Sequence, residues 1–99
     1  MTRLDGLVPK IRSKNAGPFW LTIDLFCDQP DVFERVSSGL SSDAVAAALQ
    51  VDPAVLKRFD IADLHVVKFS VPRPQIQGTR YDRDMHGASF AYLLGPLKV

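Results

Sequence analysis

The chain has 99 residues, 46% of them hydrophobic and 23% charged, and a formal charge of +1 from 12 basic and 11 acidic side chains. That length suits one domain spanning 1–99, and the composition excludes the low-apolar, high-charge regime of disordered chains. The near-neutral balance excludes a global field for nucleic acid or anionic membranes, so any anion binding has to be local.

Leu4, Leu7, Val8 and Ile11 have helical spacing, but Pro9 among them would cost an interior helix about 3 kcal/mol, so a turn or irregular lead-in is expected. Residues 11–18 read as a loop. From Phe19 to Cys27 the odd positions Phe19, Leu21, Ile23, Leu25 and Cys27 are apolar and alternate with Trp20, Thr22, Asp24 and Phe26, which predicts the best strand in the chain. Asp28, Gln29 and Pro30 start a helix that Gly39 stops, with Val32, Phe33 and Val36 as its buried stripe. Ser41 or Ser42 caps a second helix whose apolar side is Ala44, Val45, Ala48 and Leu49. Asp52 and Pro53 open a short turn through Leu56.

Phe59 to Ile61 has strand character, and Leu64 to Val71 predicts a better strand with His65, Val67, Phe69 and Val71 on one face. Pro72 and Pro74 end it, because neither donates to a ladder. Gln75 to Gly78 reads as loop. Phe90, Leu93, Leu94 and Leu97 have helical spacing, although Ala88 to Leu94 is also compatible with the start of a strand. Strand, helical pair, central strands and terminal helix predict an α+β fold: a single ferredoxin-like sheet with helices packed mainly on one face.

Chemistry has few places to sit. Arg12, Ser13, Lys14 and Asn15 precede Gly17, which permits positive φ, so this segment is a candidate anion- or ligand-binding loop, with Arg73 on the stiff Pro72-Arg-Pro74 segment as a further contributor. A solvated turn accounts for the same residues. Asp84 and His86 are the candidate acid–base pair, with Asp84 as a helix cap the alternative, and the catalytic residues are otherwise unknown. Trp20 and Phe26 lie on the more polar strand face and are candidate interface anchors unless a helix covers them. Only His65 and His86 are available as imidazole ligands and the spacing suits no metal. No cofactor is expected either, since no nucleotide fingerprint or phosphate loop is present. Cys27 is the lone cysteine and reads as a buried thiol in a reduced compartment. With no signal peptide in Met1 to Gly17 and no run of about 20 apolar residues, a soluble cytoplasmic chain with no membrane and no nucleic acid partner is expected.

Ile11-Arg-Ser-Lys-Asn-Ala-Gly-Pro-Phe19, Pro72-Arg-Pro74 and Asp84-Met-His-Gly87 together resemble a small bacterial family, domain of unknown function 4387. The chain is also similar to the C-terminal ferredoxin-like domain of acyclic terpene utilisation (AtuA-type) proteins in the order Arg12-Ser13, Leu40-Ser-Ser-Asp43, Phe59 to Leu64 and Asp84 to Gly87. It departs from that domain at Lys14-Asn15-Ala16.

The resemblance implies a small accessory subunit that associates with a larger AtuA-type protein, in catabolism of short or branched carboxylic acids or their acyl derivatives. On that reading the chain is not catalytic alone and is a subunit of a lyase- or hydratase-type enzyme. The competing expectation is a free-standing dimeric ligand-binding or regulatory domain, a homo-oligomer that takes a small carboxylate or acyl ligand.

Overall fold

Alternation is the strongest signal in the chain, and the segment that carries it lies in the middle of a four-stranded antiparallel sheet. The computed structural model describes residues 2–72 and 91–99. In chain order the elements are α1 (Leu4–Leu7), β1 (Lys10–Asn15), β2 (Trp20–Phe26), α2 (Pro30–Gly39), α3 (Ser42–Leu49), β3 (Lys57–Ile61), β4 (Val66–Pro72) and α4 (Ala91–Leu94). Short 3₁₀ turns, Pro53–Val55 and Ala62–Leu64, lead into β3 and β4. The sheet order is β1-β2-β4-β3. Two hairpins are thus joined through their later strands, and the α2–α3 pair carries the chain across. This is an α+β arrangement.

The helices share one face of the sheet. Leu21, Ile23 and Leu25 of β2 and Val67, Phe69 and Val71 of β4 pack with Val36, Val45 and Leu49 of α2 and α3 in one cluster, which Leu4 and Leu94 of α1 and α4 join. Each fully buried aliphatic contributes roughly 1.5–3 kcal/mol. Ser41 caps α3 as expected, its Oγ accepting from the Asp43 and Ala44 amides at 3.1 and 3.3 Å. The arrival at β4 is set by His65, which adopts φ 53 after the 3₁₀ turn, so Leu64 and His65 precede the strand and are not part of it.

Two expectations for the N-terminal third need correction. The lead-in contains a helical turn, α1, because Pro9 falls just beyond its C-cap residue Val8, where no amide is needed. Arg12 to Asn15 is not loop but strand β1, paired residue by residue with β2 from Lys10↔Phe26 to Asn15↔Leu21. Its polar sequence hides the strand, because an edge strand needs only one buried neighbour and tolerates charge. The true loop is Ala16 to Phe19, closed by the Ala16 amide donating to the Trp20 carbonyl at 2.9 Å, with Gly17 at φ 77. Phe19 therefore leaves the strand and is 57% exposed.

The termini lie together under α2. Thr2 and Val99 exchange amide bonds of 3.1 and 3.0 Å, and Arg35 donates to Thr2 Oγ1 at 3.1 Å and to the Val99 carbonyl at 3.2 Å. Gly95 packs closely on Asp5 here: a Cβ would stand 3.0 Å from Asp5 Oδ2 and 3.2 Å from its Cβ, so the Asp5 side chain would have to shift by a few tenths of an ångström.

Candidate functional site

Because β1 is pleated, its candidate ligands divide. Ser13 pairs with Ile23 and Asn15 with Leu21, on the helix side, whereas Arg12 pairs with Asp24 and Lys14 with Thr22, on the opposite side. Ser13 is buried, and its Oγ accepts from the Ala91 amide at 2.9 Å, tying β1 to the start of α4. A single pocket holding all four side chains is thus not formed. Even so, Arg12, Ser13 and Lys14 border one cleft of about 530 Å³ along the β1 edge, walled by Val8 and Ile11 on one side and Tyr92 and Gly95 on the other. Asp5 also lines it, and the hydrogen bond from Arg3 holds its carboxyl below the usual range. A carboxylate at the rim opposes an anionic guest, so the cleft is not uniformly suited to one. Arg73, Asp84 and His86 lie outside the described residues.

The other face of the sheet has no helix against it among the described residues. Its rows follow from the register. Arg12, Asp24, Lys68 and Phe59 form one, and Lys14, Thr22, Ser70 and Lys57 the next. Lys10, Phe26, Val66 and Ile61 form a third, and Trp20 stands beyond them opposite Pro72. Both candidate anchors therefore share this face. Trp20 is 37% exposed and Phe59 50%, while Phe26 is half-buried. Lys57 Nζ lies 5.4 Å from the Trp20 ring and Lys10 Nζ 5.6 Å from that of Phe26, both within cation–π reach.

Reading the sequence missed Arg58. It projects to the helix side, where its guanidinium donates to the Ser37 and Leu40 carbonyls at 2.8 and 2.6 Å and pairs with Asp60 at 2.8 Å. These are the terminal carbonyls of α2, the groups a helix leaves unsatisfied. Burial alone would raise the Asp60 carboxyl, but the hydrogen bonds from Arg58 and Ser37 outweigh it and the net shift is downward. Cys27 is fully buried, which pushes its thiol up to about 11, with the Asp28 charge adding to the effect. It is no nucleophile near neutral pH.

Among the described residues no helix is long and apolar enough to cross a membrane, and no three His, Cys, Asp or Glu side chains gather to hold a metal ion. A family model described as Domain of unknown function (DUF4387) matches residues 4–97. No curated protein and no solved structure matches the chain.

Proposed function

We propose that this chain, which belongs to the DUF4387 family, is a small accessory subunit that docks on a larger AtuA-type protein through the open face of its sheet. The observation that carries this reading is the pair of exposed aromatics, Trp20 and Phe59, on a sheet face that no described helix covers. Large rings left partly in water on an exposed sheet face are the usual anchors of a protein interface. Short or branched carboxylic acids, or their acyl derivatives, are the substrate class of the assembly in this proposal, which takes them from the family resemblance.

A second reading, a free-standing carboxylate-binding domain, is favoured by the cleft that Arg12, Ser13 and Lys14 border. Co-expression with the larger protein separates the two. Co-elution on size exclusion is expected for the wild type, and Trp20→Ala with Phe59→Ala is expected to weaken it by about 30-fold or more, the loss typical of an aromatic anchor. Separate elution of the wild-type chains refutes the accessory role. Calorimetric binding of a short carboxylate to the isolated chain, abolished by Arg12→Ala, selects the second reading.

A further inference from the structure

The sheet order puts β3 at an edge, where its backbone has a neighbour on one side only among the described residues. Which of its groups point outward follows from pairing parity. The Cys27 amide donates to the His65 carbonyl in register with the β2–β4 ladder, so the odd residues of β4 turn their backbone to β2, and Val66, Lys68 and Ser70 turn theirs to β3. Their partners Ile61, Phe59 and Lys57 complete that ladder. Arg58 and Asp60 therefore present their N–H and C=O groups along the outer edge, where no described residue bonds to them. Asp60 is exposed as a residue although its side chain is only 31% exposed, so much of its accessible surface lies on that backbone.

Charges on an edge strand normally repel an incoming strand. Here the sequence Lys57-Arg-Phe-Asp-Ile61 is self-complementary when run against itself. An antiparallel copy centred on Phe59 sets Arg58 opposite Asp60 of the second copy and Asp60 opposite its Arg58, and each pair exchanges both backbone bonds. Phe59 then meets its own counterpart in the non-hydrogen-bonded position, with about 4.5 Å between Cα atoms, where side chains approach closest. Lys57 falls opposite Ile61, so no like charges meet. Sliding one strand by two residues loses this match. Centred on Arg58 or on Asp60, the pairing sets identical charges face to face, and it calls on the Leu56 amide, already donated to Pro53 at 3.3 Å, or on the Ala62 carbonyl, already accepting from His65 at 3.2 Å.

We infer that the β3 edge is a homodimer contact, in which two copies meet antiparallel at Phe59 and their sheets become continuous. Such a contact is isologous, as a two-fold axis requires. It goes beyond the accessory-subunit reading and does not rest on it, because it uses the edge of the sheet and leaves Trp20, two strands away on β2, on the open face. A formal charge of +1 per chain sets up little long-range repulsion between copies. One strand pair is a small interface, so the dimer is weak, with a dissociation constant of about 10–100 µM.

The test uses the full chain alone. Sedimentation is expected to show monomer at about 1 µM and mostly dimer at about 1 mM, and a strict monomer at the higher concentration overturns the inference. Phe59→Cys places two thiols across the axis at a Cα separation within disulfide reach. Under mild oxidation it should cross-link at least 10-fold faster than Leu64→Cys, whose site is 68% exposed but lies outside the strand, while Cys27 stays buried and unreactive. Equal rates would show random collision and overturn the register. Phe59→Lys, at an exposed position the core does not use, should weaken the dimer by 10-fold or more, and Trp20→Ala should change it by less than about 2-fold. A dimer lost on Trp20→Ala assigns the contact to the open face instead. Amide exchange gives a readout without substitution: the Arg58 and Asp60 amides should slow as concentration rises, whereas those of Phe59 and Ile61, already bonded to β4, should not. Dimerisation with no slowing at Arg58 and Asp60 overturns the edge contact.

Discussion

Arg58→Ala is the perturbation that most directly tests how the sheet holds its helices. The guanidinium satisfies the Ser37 and Leu40 carbonyls, touches Ser42 Oγ at 3.3 Å, pairs with Asp60 and lies 5.6 Å from the Phe69 ring. Bonds from a charged donor contribute about 1.5–3 kcal/mol each, but the side chain is 18% exposed and water will replace part of what is lost. Two carbonyl bonds, discounted for that access, give an expected destabilisation of about 2–4 kcal/mol. Urea unfolding followed by circular dichroism measures it, and the m-value should be unchanged because the same surface is exposed on unfolding. Arg58→Lys should recover less than half of the loss, since a point charge cannot bridge two carbonyls and a carboxylate at once. Asp60→Asn should cost less than Arg58→Ala, about 1 kcal/mol, as expected for a partly exposed ion pair whose other hydrogen bonds an amide can in part keep. A loss below about 1 kcal/mol for Arg58→Ala would refute the argument that this residue clamps the end of α2.

Other outcomes follow from the core and the titrating groups. Ile23→Ala should cost about 2–5 kcal/mol in the same assay, because the side chain is fully buried between the sheet and its helices. Cys27 should resist a thiol reagent in the folded chain at pH 8 and react promptly in denaturant, its thiol being buried and raised to about 11. The Asp60 carboxyl is depressed in the folded state, so its contribution is fully present above the unfolded value of about 4 and fades as pH falls through the lower folded one. Asp60→Asn should therefore flatten the acid limb of a stability–pH curve, whereas an unchanged limb would place the acid sensitivity elsewhere.

Much of the fold is written in local pattern. The alternation of Leu21, Ile23 and Leu25 dictated a buried strand, Pro30 and the Ser41-Ser42 pair marked two helix starts, and Gly17 permitted a positive-φ turn, because each signal depends only on neighbours in the chain. Trp20 and Phe26 could be placed on a common face for the same reason, since strand parity is a local property. What tertiary structure decided was partnership. Lys10 to Asn15 has no apolar alternation and becomes a strand only because β2 offers it a full ladder, and that pairing turns a presumed loop site into an edge whose ligands face opposite ways. Arg58 looks like any charged residue until the crossover brings the end of α2 over β3, at a sequence separation no local pattern records. The basic face is likewise invisible in a chain of net charge +1, because the sheet gathers cations from three of its four strands against the single carboxylate of Asp24 among the described residues.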